Sequence, residues 1–229
     1  FRLVKFRRAL AGVCEVRYHL FGTITIRAED LTKPARESEK QKRPAGGSPP
    51  PFLEPIHILG AGSVGLLLGA YLRIAFPGLP VTMLLRASDP RREIVVNLSS
   101  NRRQRVVPVP ARSVDSLQSP LKNVILTTKA LTARSALDSI RPLLQRSDSK
   151  RQTTSITYLG NGALAVQDEL RSAGFAVDVG LLTHGVYRLP SSESGENMES
   201  LVHAGHGQIF LSDQPSLADL LDKAGLQCR

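Results

Sequence analysis

The chain has 229 residues, 41% of them hydrophobic, which is enough for one full domain with additions and too much for a single minimal nucleotide-binding unit. Trp is absent and aromatics make up only 5%, which argues against a stacking platform for single-stranded nucleic acid, and no apolar run approaches the roughly 18 residues of a membrane span. The formal net charge of +10 is uneven: residues 1–50 hold 11 Lys and Arg against 5 Asp and Glu, so the basic character belongs mostly to the N-terminal segment.

Residues Phe1 to Arg8 are basic and amphipathic, as in part of a mitochondrial targeting sequence or in a plain solvated extension. Glu15, Glu29 and Asp30 speak against the first, and a cytoplasmic or a mitochondrial location both stay open. Lys33 to Pro51 is charged and then runs Pro-Ala-Gly-Gly-Ser-Pro-Pro-Pro, a composition that cannot build a core. The expected division is therefore a basic, largely disordered extension and Pro-rich linker over 1–53 and a folded domain over 54–229. Cys14 and Cys228 lie at opposite ends and suggest neither a disulfide framework nor a metal cluster.

The folded part begins with an apolar run, Ile56 to Leu59, that meets Gly60-Ala61-Gly62-Ser63-Val64-Gly65 and then a helix-like segment over 63–75. In that context G-x-G-x-x-G reads as a dinucleotide site. Gly60 permits the tight turn, Gly62 lets backbone N–H groups approach a pyrophosphate, and Gly65 lets the helix lie close on the sheet. Ser63 is at best a phosphate-facing hydroxyl, without the context of a nucleophile elbow. Pro77-Gly78 breaks the helix before a second strand, Val81 to Leu85, which ends in Arg86. An acid at this place would accept hydrogen bonds from the ribose of NAD; an arginine suits the 2′-phosphate of NADP(H). Arg91 and Arg92 follow in what reads as a solvated loop.

A short third strand is expected at Val106 to Val109 and a strongly apolar one at Asn123 to Thr128, followed by a helix from Ala130 to Leu144. A strand at Thr153 to Tyr158 leads through Leu159-Gly160-Asn161-Gly162 into a helix ending near Arg171, where Gly174 provides the stop. Further strands are expected at Phe175 to Val179, Thr183 to Leu189 and Leu201 to Leu211, with a polar loop at 190–200 and a last helix over Ser216 to Ala224. Strands interleaved with helices in this way predict an α/β fold: a Rossmann-like, doubly wound, mostly parallel sheet.

The glycine loop, Met83-Leu84-Leu85-Arg86, Thr127-Thr128-Lys129-Ala130, Leu159 to Gly162, Thr183-His184-Gly185-Val186-Tyr187-Arg188 and His203 to Leu211 together resemble the ketopantoate reductase (2-dehydropantoate 2-reductase) family, over its N-terminal half. The resemblance implies NADPH-dependent reduction of 2-dehydropantoate to D-pantoate, in pantothenate and coenzyme A biosynthesis. It implies that Arg86 holds the 2′-phosphate, that Lys129 sits beside the cofactor, and that Asn161 positions nicotinamide and substrate. On the residues alone, Lys129 also reads as a surface lysine and Asn161-Gly162 as a turn. The family continues into a helical second domain carrying its general-acid lysine. The chain is expected to stop before that lysine, Lys223 falling too early, and to show little turnover alone.

His184, His203 and His206 lack carboxylate or cysteine partners in sequence, so structural roles are expected rather than zinc binding. Two other readings stand beside the reductase for a small 2-keto acid. One is a non-catalytic, reductase-like protein binding a nucleotide or RNA through its basic extension, although no recognition motif accompanies that charge. The other is a reductase for a different 2-keto acid. A homodimer of the full-length protein is left open.

Overall fold

The computed structural model describes residues 13–18, 22–27, 54–101, 103–144, 154–190 and 198–229. The chain divides into two units, Phe1–Gly47 and Ser48–Arg229. In the first, β1 (Val13–Tyr18) and β2 (Gly22–Arg27) pair as an antiparallel hairpin, a feature without a counterpart in the sequence expectations. The expectations of a targeting stretch at 1–8 and of a linker at 33–51 lie outside the described residues.

The second unit opens with β3 (Ile56–Leu59), α1 (Ser63–Ala75) and β4 (Val81–Leu85), at the boundaries read from sequence. It continues through β5 (Glu93–Ser100), β6 (Arg103–Ser113), β7 (Asn123–Leu126), α2 (Ala130–Ile140), β8 (Ser155–Leu159) and α3 (Ala163–Ser172). β9 (Asp178–Leu182), β10 (Gly185–Arg188), β11 (Met198–Gly205), β12 (Ile209–Leu211) and α4 (Pro215–Leu221) complete it.

The strands form one ten-stranded sheet in the order β10-β11-β5-β6-β4-β3-β7-β8-β9-β12. Its centre, from the end of β6 through β4, β3, β7 and β8 to β9, is parallel throughout. The chain leaves β3 toward β4 and β6 on one side and returns to β7, β8 and β9 on the other, so the order reverses between β3 and β7. That reversal opens a crevice at the carboxyl ends of the two strands. Helices α2 and α3 cover one face, with Leu137, Ile140, Val166 and Leu170 on Val124, Leu126, Ile156 and Tyr158. Helices α1 and α4 cover the other, where Leu66, Leu68, Leu217 and Leu220 join Ile56, Ile58, Ile125 and Leu159.

Strand β6 is where the sheet forks. Its last residues, Ala111 to Ser113, pair parallel with β4, while Arg103 to Pro110 pair antiparallel with β5. Strands β5, β11 and β10 then curl around α1, and Ile94, Val96, Leu98 and Leu201 belong to the same core as the helix. This explains why α1 buries Leu66, Leu67, Leu68, Ala70 and Leu72 all round its circumference, whereas a helix on an open sheet needs only one apolar stripe. Each fully buried Leu contributes about 2 kcal/mol.

Several expected boundaries move. Strand β5 was not anticipated, although Ile94, Val96 and Leu98 alternate with half-buried residues as a strand requires. Strand β6 runs well beyond the expected 106–109, through Pro108 and Pro110. The Ala111 N–H donates to Arg92 O toward β5, so by alternation the nitrogens of Pro108 and Pro110 point to the other side, where no ladder bond is lost. Strand β9 lies three residues later than 175–179, because the Phe175 N–H donates to Leu170 O and closes the end of α3. The single strand expected at 201–211 is two, β11 and β12, in opposite halves of the sheet. Helix α2 ends at Ile140, and a short 3-10 turn carries Pro142.

Candidate functional site

The residues that the sequence assigns to the cofactor stand at the carboxyl edge of the parallel strands. The glycine loop follows β3, Arg86 follows β4, Lys129 follows β7 and Asn161 follows β8. The loop itself is shaped by close approach. Gly60 has φ +120, and a Cβ there would meet Thr127 Oγ1 and the Thr128 backbone at 3.0 Å. A Cβ on Gly65 would lie 2.0 Å from Gly60 O, so only glycine lets α1 start this close to β3. Around Gly62, in contrast, no atom lies within 4 Å of the Cβ position, and that side is open.

Helix α1 begins at Gly62 with no side-chain cap and no acid in its first turn. Its first helical bond runs from the Leu66 N–H to Gly62 O. The backbone N–H groups before Leu66 therefore face the opening without intrahelical acceptors, at the positive end of the helix dipole. The loop is pinned from β7: Thr127 Oγ1 donates to Gly60 O at 2.8 Å, and the Thr127 N–H donates to Leu59 O at 2.9 Å. Beside it, Thr128 Oγ1 is buried without a hydrogen-bond partner among the described residues, an arrangement native proteins rarely tolerate.

The Arg86 side chain is exposed and makes no hydrogen bond or ion pair among the described residues. It borders an open pocket lined by residues 86–93. The backbone around it is held firmly. Ser113 Oγ lies 3.0 Å from Arg86 O, and the Ser88 N–H, on a residue with φ +62, donates to Asp115 Oδ2 at 2.9 Å. Ser113 also hydrogen-bonds to Asp115, and these two donors, the hydroxyl first, hold the Asp115 carboxyl below the usual range. Asp89 binds Arg91 through both oxygens, at 3.1 and 2.8 Å, which lowers its carboxyl likewise. Asp89 in the pocket and Asp115 behind it are thus engaged, Glu93 is the other acid of the lining and is exposed, and the Arg86 guanidinium has no partner among the described residues.

Lys129 is the N-cap of α2: its carbonyl accepts the Thr132 N–H and hydroxyl, and its side chain is exposed. Asn161 is exposed in the turn into α3, just before Gly162 at φ +77. Tyr158 ties these two places together, its hydroxyl lying 3.4 Å from both Thr128 O and Asn161 O. Burial pushes the Tyr158 phenol up, so it remains a donor. A Cβ on Gly160 would fall 2.6 Å from that hydroxyl. Thr127, Thr128, Tyr158 and Ser113 are the supporting residues that sequence reasoning passed over. The doubled Thr before Lys129 was their only visible signal.

The three histidines gather at the other end of α1. His184 and His203 are buried, and His206 is exposed. His184 Nε2 lies 2.9 Å from Leu226 O and so carries the proton, which leaves Nδ1 to accept from the Gly207 N–H and from His203 Nε2 at 3.0 Å. His203 Nδ1 then accepts from the Tyr71 hydroxyl at 2.7 Å. Ser100 Oγ, 3.3 Å from both Tyr71 and His206 Nε2, completes the chain. Burial, then the neighbouring His206 and His184, lowers His203 to about 4, and burial lowers His184 as well. Among the described residues no group of His, Cys, Asp and Glu is arranged to hold a metal ion.

A parallel sheet whose strand order reverses beside a glycine loop, with an uncapped helix N-terminus at the reversal, defines an α/β protein of the Rossmann-like, dinucleotide-site class. A sequence model of the family described as ketopantoate reductase PanE/ApbA matches residues 56–216, and the chain belongs to that family of oxidoreductases. No protein of curated function matches the chain. Among solved structures, 2-dehydropantoate 2-reductase from Geobacter metallireducens GS-15 is similar with a TM-score of 0.58 and 22% identity, over 76% of this chain and 56% of that one. D-mandelate dehydrogenase, in a ternary structure with NADH and anilino(oxo)acetate, gives 0.57 and 20%, over 76% and 55%. The 2-dehydropantoate 2-reductase from Methylococcus capsulatus gives 0.57 and 21%, over 75% and 55%. The chain spans a little over half the length of these proteins, and at such identities the likeness concerns the fold. No helix among the described residues is long and apolar enough to cross a membrane.

Proposed function

We propose that this chain is the NADP(H)-binding domain of a reductase for a small 2-keto acid, with 2-dehydropantoate, reduced to D-pantoate, as the substrate that its family favours. The observation that carries the cofactor reading is the combination of an open, uncapped glycine loop with an unpartnered Arg86 at the end of the next strand. The donors before Leu66 would take the pyrophosphate. Arg86 would take the 2′-phosphate by charge-assisted bonds, because its guanidinium carries donors only and Asp89 in the same pocket is already held by Arg91. Thr128 Oγ1 fits as a further donor to the bound group, which would satisfy an otherwise orphaned hydroxyl.

A bound nicotinamide supplies a hydride for the carbonyl carbon of the keto acid. This chain's own part is to hold and aim. Asn161 offers both a donor and an acceptor, and Lys129 a positive charge suited to a carboxylate, on the same edge of the sheet. Reduction also needs a proton for the developing alkoxide, a contribution of about 10²–10⁴-fold in rate. The likeness to D-mandelate dehydrogenase supports a second reading, a reductase for another 2-keto acid.

The test is a low-salt fluorescence titration of the purified chain with NADPH and, separately, with NADH. The expected result is tighter binding of NADPH, by about tenfold, with the preference erased in Arg86→Ala. Equal or tighter binding of NADH by the unaltered chain would overturn the NADP reading, and binding of neither would overturn the dinucleotide reading.

A further inference from the structure

Beyond the glycine loop and Arg86, a continuous line of charged groups crosses the carboxyl edge of the sheet. Arg188, the last residue of β10, donates from Nη2 to Ala61 O within the glycine loop at 2.7 Å. The same nitrogen lies 3.2 Å from Glu199 Oε1, at the start of β11. That oxygen also lies 3.6 Å from Arg91 Nη1, and Arg91 is clasped by Asp89. The line thus runs Asp89, Arg91, Glu199, Arg188, Ala61, from the loop that holds Arg86 to the loop that starts α1. Its contacts join residues 127 and 108 positions apart in sequence, which marks them as products of the tertiary fold.

We propose that Arg188 and Glu199 are positioning residues of the cofactor site, forming a bridge that fixes the glycine loop and the 86–92 loop at one separation. The inference rests on the dinucleotide reading above and assigns residues outside the glycine motif to it. The chemistry is specific. A carbonyl in a phosphate-binding loop repels an anion, and Arg188 covers that of Ala61 with a cationic donor. The remaining guanidinium nitrogens have no partner among the described residues. Glu199 restrains two arginines at once. Arg91, Arg188, Asp89 and Glu199 carry two charges of each sign, so the bridge adds geometry and no net field.

That neutrality separates positioning from simple attraction. Removing a carboxylate beside an anion site should tighten binding if charge alone matters, and loosen it if Glu199 holds the arginines in place. The experiment titrates the full chain and its Glu199→Gln, Arg188→Met and Arg188→Lys variants with NADPH and NADH, with thermal melts confirming that each variant is folded. Expected are an increase in Kd of about tenfold for both cofactors in Arg188→Met, partial recovery in Arg188→Lys, and weaker NADPH binding in Glu199→Gln despite the gain in positive charge. Glu199→Gln binding as tightly as or more tightly than the unaltered chain would overturn the bridge, as would an unchanged Kd in folded Arg188→Met. If the unaltered chain binds neither cofactor, the dinucleotide reading itself fails, and the bridge as a cofactor device falls with it.

Discussion

The two ends of helix α1 are built to opposite rules. At its C-terminal half, Tyr71 enters a chain of hydrogen bonds in which every partner is matched: Ser100, His203, His184 and finally Leu226 O. At its N-terminus, among the described residues, the donors are uncapped, Gly62 faces open space, and the Thr128 hydroxyl has no partner. Both ends are polar and both lie against the same apolar core. A closed network of this kind specifies a fold, whereas a cluster of unmet donors within a rigid cradle is prepared for a ligand.

The sharpest way to break the open end is Gly65→Ala. Its methyl would fall on Gly60 O and near the Thr127 hydroxyl, so denaturant titration should show a loss of about 3 kcal/mol or failure to fold.

Acid should break the closed end. The unfolded chain carries ordinary histidines near 6.5, while folded His203 resists protonation until about 4. Above 6.5 neither state takes the proton and stability is full. As pH falls from 6.5 toward 4 the unfolded state takes up a proton that the folded state refuses, and up to about 3 kcal/mol is lost. His184 works in the same direction, and His206 is the third titratable ring in the cluster. Urea midpoints measured from pH 7 to pH 4 should decline across this window, and His203→Gln should flatten the decline.

Tyr71→Phe is a milder probe, since it leaves His203 Nδ1 without its donor. A cost of about 1 kcal/mol is expected by thermal melt, with cofactor binding kept. The smallest effect on stability belongs to Gly62→Ala. Its φ of −82 suits alanine and no neighbour stands in the way, so the melt should not move by more than about 0.5 kcal/mol. Cofactor affinity should nevertheless fall, because the methyl points into the space a pyrophosphate needs. A stability loss equal to that of Gly65→Ala would erase the proposed difference between the two glycines.

Much of the parallel half was legible in sequence because its signals are local. An apolar run, a glycine loop and a periodic segment fix β3 and α1 to the residue, and Arg86 falls at the strand end as read. The curled half was not. Strand β5 follows an arginine-rich loop that masks its alternation, and β6 carries two prolines that ordinarily demote a strand. Only the pairing partner decides that Pro108 and Pro110 are harmless. In the candidate site the residues on strand ends were visible, since their position follows from the order of elements. Arg188 and Glu199 were not, since their contacts depend on chain segments brought together by the curl, and the unpartnered Thr128 hydroxyl was not, since only the packing of the glycine loop on the end of β7 buries it. The histidines show both sides: structural roles were expected for them, but the hydrogen-bonded chain through them needs Tyr71 from α1 and Ser100 from β5.

The prolines of β6 have one more consequence. From Arg103 to Pro110 one border of this strand pairs with β5, and the other has no strand partner among the described residues. Such a border ordinarily invites a foreign strand to add itself, the first step toward aggregation. Pro108 and Pro110 remove the donors that an added strand would need, and Arg103 and Arg105 place charge along the same stretch. The fork that lets the sheet wrap α1 thus carries its own chemical guard along its free border.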